Sequence, residues 1–133
     1  MAALPAHALC TKGKISNLRK KATASSEKTW VVRKFMPFKE LSRTKHWVHV
    51  EDIDAEQHYI AANSVTDEYK CLVVSASVAL AYKGPDLNSG LTKINSFDRY
   101  ASFEWVGRKG SWYKAKDQTG REYWFEGKNI WIP

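Results

Sequence analysis

Apolar and polar residues alternate in short runs along most of the chain, and no stretch carries an apolar stripe of useful length at helical spacing. Period-two runs punctuated by Gly, Pro, Asn, Asp and Ser predict half-buried antiparallel strands. From the amino terminus the expected strands are Ala8 to Thr11, Ile15 to Arg19, Thr29 to Phe35, Phe38 to Leu41, His46 to Asp52 and Gln57 to Ile60. Lys20 to Lys28 is polar and aperiodic and reads as a surface loop, Ser42 to Lys45 as a turn, and Met36-Pro37 as a break, because proline cannot donate to a ladder. The series resumes with Tyr69 to Ser75, Val78 to Tyr82, Ile94 to Phe97, Ala101 to Val106, Ser111 to Lys116, Arg121 to Phe125 and Ile130 to Ile132. Lys83 to Gly90, Gly107 to Gly110 and Gly127 to Asn129 separate these runs as loops or turns.

The second series repeats the first. In each, a Trp opens an alternating run, an acidic turn follows (Asp52 to Glu56, then Asp117 to Arg121), and a second aromatic strand returns. Trp47 and Trp112, Asp52 and Asp117, Tyr59 and Trp124, and Val65 and Ile130 all stand 65 residues apart. A repeat of this period predicts two duplicated units, residues 8–66 and 67–133, split near Val65 to Glu68. Each is expected to be a small closed or partly closed barrel of five to six antiparallel strands, closure being how such sheets avoid open edges. Units this small bury a limited core, and no Gly/Ser/Pro linker lies between Val65 and Cys71, so the two should pack together.

Composition narrows the function classes. A hydrophobic content of 44% with 13% aromatic excludes a disordered chain, and six Trp with six Tyr favour sheet. The net charge is +7, and the excess leans to the first 65 residues, where 11 basic residues including Arg19-Lys20-Lys21 face 6 acidic ones. That excess suits either a solvated surface or an anionic partner such as nucleic acid, membrane or wall polymer. No run of 18 apolar residues is present for a helical membrane span. Met1 to Leu9 lacks a basic start but reads like the end of a signal peptide, with Ala6-His7-Ala8 in the small-x-small cleavage pattern, so an exported protein is expected. Cys10 and Cys71, the two cysteines, sit at nearly the same place in the repeats and are either bonded across them or buried as small apolar residues. Two Cys and four scattered His give no metal-ligand spacing, so neither a metal nor another cofactor is expected.

Several motifs resemble the bacterial SH3-like (SH3b) domain family, in two tandem copies. Gly110-Ser111-Trp112-Tyr113-Lys114-Ala115 is similar to the family's Gly-x-Trp-x-Lys-Val motif, Gly120 to Phe125 to its closing motif, and Leu80-Ala81-Tyr82-Lys83-Gly84-Pro85 to its opening one. Asn17 to Ala22, Lys45 to Val50 and Ala55 to Ile60 match in the first repeat with more drift. The resemblance implies an all-β pair of small SH3-like barrels in the periplasm or outside the cell. It further implies a cell-wall binding module whose partner is peptidoglycan stem peptide or an envelope protein peptide; a protein scaffold without wall contact and a nucleic-acid-binding barrel are the alternatives.

An aromatic groove able to hold peptide or glycan by stacking is the expected site, with Tyr82, Tyr113, Trp112, Trp105 and Tyr100 as its ligand-binding candidates. It is expected to be better formed in the second repeat, because Arg19, Val48 and Lys45-His46 stand in the first repeat where Tyr82, Tyr113 and Gly110-Ser111 stand in the second. Lys83 departs from the small residue common before Gly-Pro in the family. No catalytic residues are expected. His46 and His49 point to opposite faces of one strand, His49 and His58 read as a cross-strand polar pair, and Asp52, Asp54 and Glu56 occupy a turn that demands polar residues.

Overall fold

The computed structural model describes residues 7–133, so the first six residues, including Ala6 of the cleavage-like tripeptide, lie outside the described residues. Fourteen strands run β1 His7–Thr11, β2 Ile15–Arg19, β3 Lys28–Arg33, β4 Pro37–Arg43, β5 Trp47–Glu51, β6 Gln57–Ala61, β7 Val65–Thr66, β8 Cys71–Val74, β9 Val78–Tyr82, β10 Leu91–Asp98, β11 Ser102–Lys109, β12 Trp112–Lys116, β13 Glu122–Glu126 and β14 Ile130–Trp131. The only helical elements among the described residues are single 3-10 turns at Ala62–Ser64, Leu87–Ser89 and Gly127–Asn129. The strands form two antiparallel seven-stranded sheets with one topology, β3-β2-β6-β5-β4-β1-β7 and β10-β9-β13-β12-β11-β8-β14.

The duplication extends to backbone strain. The non-glycine residues Phe35 and Tyr100, 65 apart, both take left-handed conformations (φ 70° and 76°), as do Ala55 and Gly120 (φ 63° and 90°). The acidic turns also share their backbone hydrogen bonds. Asp52 Oδ1 accepts from the backbone N–H groups of Asp54 (2.8 Å) and Glu56 (3.0 Å), and Asp117 Oδ1 from those of Thr119 (2.9 Å) and Arg121 (3.0 Å). Each carboxylate thus satisfies two donors that the tight turn would otherwise leave open.

Two expectations need correction. Each sheet has seven strands rather than five or six, because the chain after each last hairpin makes a 3-10 turn and returns as a two-residue strand on the free side of the first strand (Cys10 opposite Thr66, Val73 opposite Trp131). The sheets are also not closed into barrels: β3 and β7 end one sheet and β10 and β14 the other, with no ladder between the ends. Register shifts between Glu40 and Ser42 and between Trp105 and Gly107 curl each sheet over its core instead, since a bulge bends the strand that carries it.

The first core holds Leu9, Leu18, Phe38, Val48, Val50 and Ile60, and the second Leu72, Ala79, Ala81, Phe103, Ala115, Tyr123 and Phe125. All four residues of β8 are buried: Leu72 and Val74 pack into the second core, Val73 into the first. The halves therefore pack as expected, and a disulfide between Cys10 and Cys71, with Cα atoms 5.9 Å apart, crosses the seam. The bonded residues are not equivalents. Leu9 faces Phe38 as Leu72 faces Phe103, so Cys10 matches Val73, and Cys71 matches Ala8. Phe35 against Tyr69 (ring centroids 5.6 Å) and the Ser102 hydroxyl on the Lys34 carbonyl (2.7 Å) add to the seam.

Candidate functional site

The five aromatic candidates fall into three places rather than one groove. Alternation on β12 turns Tyr113 and Ala115 toward the core, and Trp112 and Lys114 away from it. Trp112 meets the edge of Tyr82 (centroids 5.2 Å), and Tyr82 pairs across the ladder with Trp124. Lys114, facing Trp124 on the next strand, lies 6.0 Å from its ring and ion-pairs with Glu122 (2.7 Å), which holds the Glu122 carboxyl below its ordinary pKa. This solvent-side platform of Tyr82, Trp112 and Trp124 is half-buried and belongs to neither core.

The first sheet carries a counterpart. Trp47, His49 and Tyr59 stand at the places of Trp112, Lys114 and Trp124, His49 stacks on Tyr59 (4.5 Å), and Arg19 pairs with Tyr59 where Tyr82 pairs with Trp124. His49 thus faces Tyr59 and not His58, which corrects the expected His pair: His58 is opposite Val50 and points into the protein. Trp124 is absent from the expected ligand-binding set; its place opposite Tyr82 depends on strand order, which no local pattern carries.

Trp105 and Tyr113 form the second cluster, 5.6 Å apart at the edge of the second core. Lys70 lies 5.2 Å from the Trp105 ring and Arg108 5.1 Å from that of Tyr113, so a cation caps each end of the aromatic pair. Trp105 opens onto a cleft of about 360 Å³ at the seam. Tyr69 lines the same cleft, and burial, then the nearby Glu104 and Glu68, raise its phenol pKa.

Tyr100 belongs to a third cluster, which joins the halves. Its hydroxyl donates to Asp54 Oδ2 (2.7 Å), which raises the phenol pKa, while Arg99 holds Asp54 Oδ1 (2.6 Å) and Trp30 packs against the Tyr100 ring (5.3 Å). Behind them a hydrogen-bonded line runs from Thr29 Oγ1 to His58 Nδ1 (2.6 Å) and from His58 Nε2 to Asp52 Oδ2 (2.7 Å). A carboxylate only accepts, so His58 donates from Nε2 to Asp52. In the second repeat the Tyr123 hydroxyl donates to Asp117 Oδ2 (2.9 Å) at the same place, which identifies the line as a brace between turn and strand. Burial opposes ionisation of Asp117, but bonds from Thr119, Tyr123 and two backbone N–H groups prevail and lower its pKa. That turn therefore contributes stability above the ordinary carboxylate pKa and loses it as pH falls through the lowered value. Donor atoms of Asp52, Glu56 and His58 lie within 4.8 Å of one another, yet both imidazole nitrogens are engaged, so His58 would have to release Thr29 or Asp52 to ligate an ion.

No family model and no curated protein matches this chain. Solved structures that it resembles include NlpC1 from Trichomonas vaginalis (10% identity, TM-score 0.43, covering 100% of this chain and 48% of that one) and NlpC2 from the same organism (10%, 0.44, 99% and 50%). A third is the endolysin LysPBC5 CBD (13% identity, TM-score 0.37, covering 98% of both chains). This chain spans about half the length of the two NlpC structures, and likeness of this degree assigns neither fold nor function.

Proposed function

We propose that this chain is a non-catalytic binding module of the bacterial envelope, which recognises peptidoglycan stem peptide or a partner protein's peptide through the aromatic face of its second repeat. The observation that carries this reading is the platform of Tyr82, Trp112 and Trp124. Rings of this size bury most of their area in a core when packing is their role, whereas these stand half-exposed outside both cores. Lys114 and Glu122 beside them offer one charge of each sign to a zwitterionic peptide. A disulfide across the seam suits the periplasm or the cell exterior, where thiols stay oxidised.

The test is retention on purified peptidoglycan, with single-stranded DNA at matched salt as the control polymer. Tyr82→Ala with Trp112→Ala should cost about 1–3 kcal/mol of binding, the usual worth of a lost aromatic contact in a recognition face, and Trp47→Ala in the first repeat should cost less. Equal retention of the wild type and the double variant, or retention of neither with the fold intact, would instead favour a protein scaffold.

A further inference from the structure

The outer faces of the two sheets share a plan and differ in charge. Trp47, His49, Gln57 and Tyr59 stand 65 residues before Trp112, Lys114, Glu122 and Trp124 and pair in the same register. On the second face Glu122 neutralises Lys114 (2.7 Å), and Tyr82 is the partner of Trp124. On the first, Gln57 stands for Glu122 and Arg19 for Tyr82, so an acid is lost and a permanent cation gained. The positive strip continues from there: Lys28 lies opposite Arg19 on edge strand β3, and Lys20 and Lys21 follow Arg19 into the loop. That loop is pinned, because Arg19 Nη1 donates to the Ser26 carbonyl (2.9 Å) and the Lys21 backbone N–H to Ser26 Oγ (2.9 Å). Lys20, Lys21 and Lys28 are exposed, and none of the four cations makes an ion pair among the described residues. The acids of these segments are Glu27, in the loop, and Glu51, which faces Lys39 across the ladder. Beside the strip, half-buried rings stand outside the first core: His49 stacks on Tyr59 (4.5 Å, planes 12° apart), and Trp47 takes the neighbouring outward position of β5.

We propose that the outer face of the first repeat binds single-stranded DNA, its phosphates on Arg19, Lys21 and Lys28 and its bases stacked on Tyr59 and Trp47. Charge complementarity selects a polyanion, because these cations have no acidic partner on the protein. The rings then select among polyanions. Every base has a π-face to lay on an aromatic side chain, and rings beside a basic strip hold a single strand without regard to its sequence. A duplex keeps its bases stacked on one another and offers the rings nothing. The second face, where Lys114 is paired with Glu122 and Tyr82 replaces the arginine, lacks such a strip. This site does not rest on the peptide reading of that face.

The experiment is a fluorescence-anisotropy titration of a labelled oligothymidylate of about ten nucleotides, a usual site size for a small β domain, with the oxidised full chain. Binding should saturate and weaken with salt, log K falling against log salt with a slope of about −2, as for three phosphates neutralised on a single strand. Tyr59→Ala should bind about tenfold more weakly, and Tyr59→Phe, which keeps the ring, should restore the affinity. Lys21→Gln should flatten the salt slope by about 0.7, whereas Lys93→Gln, which removes an exposed cation from the second sheet, should leave it unchanged. An abasic strand of the same length should bind about tenfold more weakly than the oligothymidylate and be indifferent to Tyr59→Ala. The proposal is overturned by the absence of saturable binding, by equal affinity for the abasic strand, by a Tyr59→Ala loss that is missing or that phenylalanine does not restore, or by equal salt slopes for Lys21→Gln and Lys93→Gln. Peptidoglycan retention is read at Tyr82 and Trp112, on the other face, and Tyr59→Ala gives that assay a chain in which the DNA site is silent, so either reading can fail without the other.

Discussion

The two halves share strand order, turns and left-handed positions but fill their cores with different chemistry. The first is lined by branched aliphatic residues, with Leu18, Val48, Val50 and Ile60 where the second has Ala81, Tyr113, Ala115 and Phe125. The second compensates for its alanines with a knot of rings in which Phe97 packs edge-on against Phe103 and Tyr123 (4.9 Å each) and Phe125 (5.8 Å). The difference shows that one topology accommodates different side-chain volumes at matched positions. The halves also differ in self-sufficiency. Val73 and Trp131 of the second sheet pack into the first core, whereas the second core is built from its own half.

That asymmetry gives the largest expected effect. If residues 67–133 and 1–66 are produced separately, the second half should keep cooperative unfolding and the first should not. A unit of this length has roughly 3–9 kcal/mol of stability, and losing a packed Trp and Val removes about that much. Sharp side-chain NMR dispersion from the isolated first half would show that the borrowed residues are dispensable. Within the intact chain, Cys10→Ser with Cys71→Ser should cost about 4 kcal/mol in denaturant unfolding, since the bond spans 61 residues of sequence; a loss below 1 kcal/mol would mean that burial alone holds the seam. The smallest effects should come from the matched left-handed positions. Ala55→Gly should stabilise and Gly120→Ala destabilise, each by about 1 kcal/mol, because only glycine takes φ of 63° or 90° without a Cβ penalty. Thermal melts of the two variants moving in the same direction would break the equivalence of the turns.

Much of the local architecture was legible in the chain. Period-two alternation located the strands, and the 65-residue recurrence of Trp, Asp and aromatic positions revealed the duplication, because inward and outward residues must alternate on any half-buried strand. Strand ends were less legible. β4 continues to Arg43 and β11 to Lys109, through residues that read as turn formers, because a bulge lets a strand go on through a Gly or a polar residue. His58 could not be placed from its neighbours, since its partners Thr29 and Asp52 meet it only after three segments are brought together.

The sequence by itself determined which residues turn inward, where the chain reverses, and that it does so twice. Only the tertiary structure decided that Cys10 bonds Cys71, that Trp112 joins Tyr82 while its neighbour Tyr113 joins Trp105, and that the second sheet lends Val73 and Trp131 to the first core. The reason is one of range. Alternation and turn chemistry act over a few residues and leave their mark in composition, whereas strand order and the docking of two curled sheets are set by the burial of whole faces at once, to which no single segment carries the key.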